Sequence, residues 1–199
     1  MKILVIGATG TIGKEVYSSL KNDYTEVYGA HRNSESFPID ITDSTSIIKL
    51  LKGLPQLDAI VNVAGTAAWK SFSKLTEEDY YKGIQSKLMG QVNLTHIAQD
   101  YLSDKGSITL TTGILAEHYE PDTVALSLVN GAIHSFVNAV SHELDRNIRI
   151  NVVAPGAISG SFPKDKKFAG YYPVDITDVT SVYKQALTTN ITGKVLKIY

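Results

Sequence analysis

The spacing of hydrophobic and polar residues predicts strands and helices that alternate along the whole chain. Short runs of branched apolar residues, such as Ile3-Leu4-Val5-Ile6, are typical of strands buried on both faces of a parallel sheet. Seven strands are predicted, at Lys2–Ile6, Glu26–Ala30, a short one ending at Ile39-Asp40, Asp58–Val63, Ser107–Thr112, Arg149–Ala154 and Lys194–Tyr199. Apolar positions three and four residues apart predict the helices, at 11–22, 45–52, 77–102, 123–144 and 178–188.

This alternation favours an α/β fold in which a doubly wound parallel sheet of about seven strands carries helices on both faces. Parallel neighbours cannot be joined by a tight hairpin, and each helix supplies the crossover that they need. No linker, repeat or low-complexity segment interrupts the pattern, so one domain over residues 1–199 is expected.

The first strand leads into a glycine-rich turn, Gly7-Ala8-Thr9-Gly10-Thr11-Ile12-Gly13, and then into a helix. This order of elements builds a pyrophosphate site, because glycines let the backbone approach phosphate oxygens and the helix start presents free N–H groups. The alternative is a glycine-rich turn without a ligand.

Composition excludes several classes of partner and of chemistry. The chain has 199 residues, is 43% hydrophobic and 20% charged, and carries a net charge of −1, so nothing indicates a nucleic-acid or membrane partner. No run approaches the length of a membrane helix, and because the first strand begins at Lys2 no signal peptide is expected. The absence of cysteine excludes thiol chemistry and fits a cytoplasmic protein. No metal-ligand pattern is present, so no metal is expected.

Four segments, in this order, resemble motifs of the short-chain dehydrogenase/reductase family: the glycine turn, Asp40-Ile41-Thr42, Asn62-Val63-Ala64-Gly65, and Arg149 to Gly156 with its Pro155-Gly156 end. The resemblance covers nearly the whole chain. It implies a Rossmann fold with strand order 3-2-1-4-5-6-7 and a bound dinucleotide. The cofactor-binding residues it implies are Gly7, Thr9, Gly10, Thr11, Ile12, Gly13, Arg32, Asn33, Asp40, Ile41, Asn62, Ala64, Gly65, Pro155 and Gly156.

The residues after the second strand favour NADP(H) over NAD(H). In this fold an acidic residue there accepts from both ribose hydroxyls of NAD, whereas a basic residue accommodates a 2′-phosphate. The segment reads His31-Arg32-Asn33-Ser34, with no carboxylate before Glu35, and Arg32 offers a planar donor fork suited to phosphate. The alternative is that Arg32 is a solvated loop residue.

The family's four usual catalytic positions are all changed. Alignment on Phe136 puts Leu126 at the tyrosine position and Asn130 at the lysine position, and Gly113 and Lys87 stand where serine and asparagine are usual. Tyr-x-x-x-Lys occurs only at Tyr17–Lys21 and Tyr101–Lys105, which we interpret as coincidence.

A rebuilt site is one possibility. Lys87 would place an ammonium in the vacated space, Asn130 would hold a ribose hydroxyl, Thr112 would bond the substrate oxygen, and Tyr119 or His118 would act as the acid. The alternatives are that Lys87 forms only a salt bridge and that the loop residues are merely solvated.

Two functions therefore remain open. One is an NADP(H)-dependent oxidoreductase on a small carbonyl or alcohol substrate with non-standard catalytic residues. The other is a catalytically inactive dinucleotide-binding redox sensor. A homodimer through the two long helices is expected, with Ala132, Phe136 and Val140 spaced for a packed face and a core contact as the alternative. The lysine-rich segment 157–173 replaces the family's substrate-binding region.

Overall fold

Six parallel strands form the centre of the molecule, in a computed structural model that describes residues 1–199. The strands are β1 (Lys2–Ile6), β2 (Glu26–Ala30), β3 (Leu57–Asn62), β4 (Leu102–Thr111), β5 (Arg149–Pro155) and β6 (Lys194–Ile198). The helices are α1 (Thr11–Asp23), α2 (Ser44–Lys52), α3 (Glu77–Gly83), α4 (Gly90–Ala98), α5 (Val124–Val140) and α6 (Ile176–Thr188). The α/β fold class is thereby confirmed.

The strand order is β2-β1-β3-β4-β5-β6, which is the predicted order without its outermost strand. The prediction of a seventh strand ending at Ile39-Asp40 was wrong. That segment forms a single bridge between His31 and Pro38, and proline has no N–H to continue a ladder. The backbone N–H of Asp40 instead donates to the hydroxyl of Ser46, which turns the chain into α2.

Helices cover both faces of the sheet, as the doubly wound arrangement predicts. On one face α1 and α6 pack through Val16, Leu20, Val179 and Tyr183. On the other face α2, α4 and α5 pack through a larger apolar cluster that includes Ile47, Leu51, Leu94, Ile133 and Val137. Every residue of β1 after Lys2 is buried, as expected for a strand between two helical layers.

The predicted helix over 77–102 is a composite. Thr76 begins α3 with a reciprocal capping box to Asp79, a π-helical segment spans Ile84–Met89, and α4 follows. A short 3₁₀ turn, Gln99–Tyr101, leads into β4, which starts at Leu102 rather than at Ser107. The π-helical segment carries Lys87, one of the predicted site residues.

Candidate functional site

The predicted motifs follow the ends of four of the six parallel strands, all at the carboxyl edge of the sheet. The pairs Ile6–Asn62 and Thr111–Val153 set the register, so the segments after β1, β3, β4 and β5 meet at the carboxyl edge. Ligands of open α/β sheets bind outside this edge. The fold therefore brings residues from distant parts of the sequence into one cleft.

The glycine turn after β1 packs too tightly for side chains at two positions. Gly7 has φ 84°, and a Cβ there would lie 2.9 Å from the backbone nitrogen of Ala64. A Cβ on Gly13 would lie 2.0 Å from the carbonyl oxygen of Gly7. Glycine is needed at both places so that α1 can rest against the turn.

The N-terminus of α1 points its free donors at this turn. Gly10 is the N-cap residue, and no side chain caps the helix. The first N–H groups, from Thr11, Ile12 and Gly13, have no partner inside the helix, which is the usual arrangement for holding an anion.

A cleft of about 230 Å³ adjoins the glycine turn. It is lined by Ile6, Gly7, His31, Arg32, Ile39, Ile41, Ala64, Gly65, Thr66 and Ser86. Five predicted cofactor residues are among them: Gly7, Arg32, Ile41, Ala64 and Gly65. The other five lining residues were not predicted, although each is next to a selected residue: Ile6, His31, Ile39, Thr66 and Ser86.

Arg32 is exposed at the mouth of the cleft and pairs with Asp40. Its Nε lies 3.5 Å from one Asp40 oxygen, and the arginine side chain is 71% exposed. The carboxylate of Asp40 accepts the backbone N–H and the hydroxyl of Thr42, and these bonds together with Arg32 hold its pKa below the usual range. Arg32 therefore keeps donors available on the solvent side. Asn33 follows it in the turn, outside the cleft lining.

The segment after β3 is fixed by its own asparagine. Buried Asn62 donates from its side-chain amide to the carbonyl of Ala64 at 3.0 Å. Gly65 then lies directly against the helix across the cleft, since a Cβ on it would be 3.1 Å from the Cα of Lys87. The floor of the cleft and Lys87 are thus in contact.

Lys87 is a buried cation without a counter-charge. Its residue is 9% exposed, and no carboxylate lies within ion-pair distance of its ammonium in this structure. Burial alone lowers the pKa of Lys87 from 10.5 to about 8. A buried amine with a pKa near neutrality can hold or release a proton under physiological conditions.

Asn130 on α5 presents an unsatisfied acceptor. Its Oδ1 is buried without a hydrogen-bond partner, and the residue is 3% exposed. The side-chain nitrogen lies 3.8 Å from the position of a Cβ on Gly113, which is itself 3.5 Å from the carbonyl oxygen of Pro155. Asn130, Gly113 and Pro155 therefore border one small space beyond the ends of β4 and β5, with the amide nitrogen of Asn130 toward Gly113. The unpaired Oδ1 of the same side chain calls for a donor such as a hydroxyl.

Thr112 belongs to a polar chain that the sequence analysis did not foresee. Its hydroxyl lies 2.9 Å from Nε2 of His134, whose Nδ1 lies 3.8 Å from Glu117. Glu117 in turn binds Lys197 and Tyr199 near the end of β6. Burial lowers the pKa of His134, which favours the neutral ring. His134 is one turn beyond Asn130 in sequence, but Glu117 and Lys197 meet it only in the fold.

Tyr119 is not brought into this arrangement. Its side chain is 70% exposed and forms no hydrogen bond with Lys87, Thr112 or Asn130. His118 instead packs edge-on against Tyr171 and Tyr199, and its Nε2 is 3.3 Å from the Tyr171 hydroxyl. The loop after β4 is therefore tied to the segment 157–173.

A family model described as enoyl-(acyl carrier protein) reductase matches residues 15–185. The chain belongs to the short-chain dehydrogenase/reductase family. Among curated relatives, the uncharacterized oxidoreductase YmfI of Bacillus subtilis is 26% identical over 98% of this chain and 96% of its own length. An uncharacterized oxidoreductase of Methylorubrum extorquens is 29% identical over 52% of this chain, and that match spans only 42% of the relative.

Solved structures of this family superpose over the whole chain. The protein lin1944 from Listeria innocua is 37% identical, covers 100% of both chains and has a TM-score of 0.95. A small-chain dehydrogenase in complex with NADPH is 23% identical over 100% of this chain and 96% of its own, with a TM-score of 0.88. ElxO with NADP bound is 25% identical over 99% and 96%, with a TM-score of 0.82.

The residue that the alignment on Phe136 puts at the family's tyrosine position is apolar. Leu126 packs with Ile114, Phe168, Tyr171 and Tyr199 in a small cluster. The literal Tyr-x-x-x-Lys pairs lie elsewhere: Tyr17 and Lys21 are on α1, and Tyr101 precedes β4. Neither pair lines the cleft.

The residues present fit a dinucleotide. The uncapped α1 N-terminus and the close approach at Gly7 suit a pyrophosphate, Arg32 suits a phosphate at the mouth, and the orphaned Asn130 oxygen suits a ribose hydroxyl. No group of three or more His, Asp or Glu side chains could hold a metal ion. None of the helices has both the length and the apolar character that crossing a bilayer requires.

Proposed function

We propose that the protein is an NADP(H)-dependent oxidoreductase that acts on a small carbonyl or alcohol with a non-standard proton donor. The observation that carries the proposal is Lys87, a largely buried residue whose Cα, Cβ and Cγ lie against Gly65 at the cleft floor and whose ammonium has no ion-pair partner. Such a group costs folding free energy, so its retention at the edge of a dinucleotide cleft favours a chemical role.

Lys87 is the proposed general acid. When bound, a reduced nicotinamide would supply a hydride to the carbonyl carbon. The ammonium of Lys87 gives one proton to the carbonyl oxygen, is left as the neutral amine, and regains a proton from solvent. In alcohol oxidation the neutral amine takes the hydroxyl proton instead.

Thr112 and Asn130 have supporting roles in this proposal. Asn130 accepts a ribose hydroxyl through its free Oδ1 and thereby orients the ring next to the substrate. Thr112 orients the substrate oxygen, with His134 holding its hydroxyl in place. Tyr119, exposed and without a partner, is the weaker candidate for the acid.

The preference for NADP(H) over NAD(H) rests on Arg32. Its fork lines the cleft, and no acidic side chain does so. Two of the structures similar to this chain have NADPH or NADP bound, which supports the same choice. The substrate beyond its class stays open.

The decisive experiment is calorimetric titration with NADPH, NADP, NADH and NAD, followed by NADPH oxidation against a panel of carbonyl compounds. Tight NADPH binding with turnover is expected. Binding without turnover would favour the redox-sensor function, to which the apolar Leu126 and the bare Gly113 lend support. If none of the four dinucleotides binds, both functions are wrong.

A homodimer through the two long helical regions is also proposed. Tyr81, Met89, Val124 and Leu128 are exposed apolar residues on these elements. Phe136 and Val140, by contrast, pack partly against the protein's own core, so they support the core-contact alternative at those positions. A cytoplasmic location is likewise a proposal, and it rests on the absence of cysteine.

A further inference from the structure

A fully buried glutamine connects the π-helical segment to the end of β4. The side-chain amide nitrogen of Gln91 donates to the carbonyls of Lys87 and Thr111, at 3.1 Å each. Its Oε1 accepts the backbone N–H of Thr111 at 3.0 Å. Gln91 is 0% exposed, and these three bonds satisfy its amide almost completely.

Thr111 needs such a partner because β4 extends beyond its last pair with β3. The pairing of β3 with β4 ends at Val61–Thr109, whereas β4 continues beside β5 to Thr111–Val153. The N–H and C=O of Thr111 on the β3 side are therefore left open within the interior. Gln91 closes this gap by pairing with both groups, as one further strand residue would do.

One of the three Gln91 bonds, the one to the carbonyl of Lys87, reaches the residue that we assign to proton transfer. In the π-helical segment the helix is wound more loosely, and the N–H of Gly90 bonds five residues back to Gln85. Such segments are uncommon and are frequent at functional sites. By holding the carbonyl of Lys87, Gln91 fixes the backbone from which the buried ammonium extends.

We propose that Gln91 is a positioning residue that holds Lys87 beside the cleft by fastening the π-helical segment to the end of β4. Gln91 touches neither cofactor nor substrate in this scheme and acts only through Lys87 and Thr111. The inference rests on the proposed function for its catalytic meaning, but the placement of Lys87 can be measured without turnover.

The test compares Gln91→Met, which keeps the side-chain length and removes all three bonds, with Thr95→Val. Thr95 is the matched control because it is buried one turn later, and its hydroxyl donates to the backbone carbonyl of Gln91 without taking part in the three bonds of the Gln91 side-chain amide. The protein is labelled with ¹³Cε-lysine, and the Lys87 signal is identified by its loss in Lys87→Met. The pH titration of that signal is then followed in each variant, together with the unfolding temperature.

In Gln91→Met the titration midpoint of Lys87 should rise toward the usual lysine value, because the side chain is released into solvent. The wild type and Thr95→Val should both titrate near pH 8. If the enzyme turns over, Gln91→Met should lower kcat/KM by about a hundredfold, as misplacement of a reacting group does, without a comparable loss of NADPH affinity.

An unchanged Lys87 midpoint in a folded Gln91→Met protein would overturn the inference and leave Gln91 a structural residue only. If that variant does not fold, Gln91→Asn, which is too short to reach both carbonyls, is judged by the same midpoint. A shifted midpoint in a protein without any turnover would keep the positioning role and reject the proposed function.

Discussion

The two halves of the candidate site are built on different principles. The dinucleotide half, from Gly7 to Gly13 and at Gly65, relies on backbone that comes close to a ligand and on the free N–H groups of α1. The half where chemistry is proposed relies on buried polar side chains, Lys87 and Asn130, that extend from separate helices. Backbone sites keep a recognisable glycine spacing, whereas a side-chain site can be rebuilt from other residues in the same fold.

The largest effect is expected from Lys87→Met, which should separate the two halves. Turnover should fall by about 10²- to 10⁴-fold, the usual contribution of a general acid, while NADPH affinity is retained. Steady-state kinetics and calorimetry measure the two quantities. Lys82→Met, which removes the same charge from an exposed position on the preceding turn, is the control.

Lys87→Met should also raise the free energy of unfolding of the protein. The folded state holds Lys87 at a pKa of about 8 instead of 10.5, so below pH 8 it carries an unfavourable buried charge. Chemical denaturation at pH 7 should show a gain of about 1 to 3 kcal/mol in the free energy of unfolding. A loss of stability without a loss of turnover would mean that Lys87 is a packing residue.

Arg32→Ala should affect the dinucleotide half alone. The variant should weaken NADPH binding by roughly 1 to 3 kcal/mol, the value of hydrogen bonds to a charged group, and leave NADH nearly unchanged. Lys52→Ala, which removes one positive charge outside the cleft, controls for net charge. Equal losses for both cofactors would reject the assignment of Arg32 to the 2′-phosphate.

The pH dependence should report on the chemical half. Carbonyl reduction needs the protonated amine, so kcat/KM should fall about tenfold per pH unit above pH 8. Alcohol oxidation needs the neutral amine and should rise through the same range. Stability should also rise between pH 8 and 10.5, because there the unfolded chain binds more protons than the folded one. Profiles that do not change near pH 8 would exclude Lys87 as the donor.

The smallest effect is expected from Tyr119→Phe. This exposed phenol has no partner in the structure, so its loss should change kcat by less than about twofold, as surface substitutions usually do. A large fall in kcat would instead make Tyr119 the acid and would imply that the loop after β4 closes over the substrate.

The position of the dinucleotide half could be inferred from the sequence because its residues lie in short motifs at or just after the ends of strands, as Gly7 follows β1 and Ala64 and Gly65 follow β3. The polar chain from Thr112 through His134 to Glu117 could not, since its partners are brought together only by packing. No sequence motif marked Gln91 either, because its role depends on where the pairing of β3 with β4 ends. The predicted strand at Ile39-Asp40 failed because Ile39 and Ile41 are buried as strand residues would be, whereas Pro38 has no N–H with which to continue a ladder.

The hydroxyl of Thr111 gives the sheet one more property. It donates to the carbonyl of Asn62 and accepts the phenol of Tyr183 from α6, while the backbone of the same residue is held by Gln91 from α4. One threonine thus joins helices on opposite faces through a sheet that otherwise separates them. Substitutions of Gln91 and Tyr183 disturb the same threonine, so their effects on the free energy of unfolding should not be additive although the two residues lie on opposite faces of the sheet.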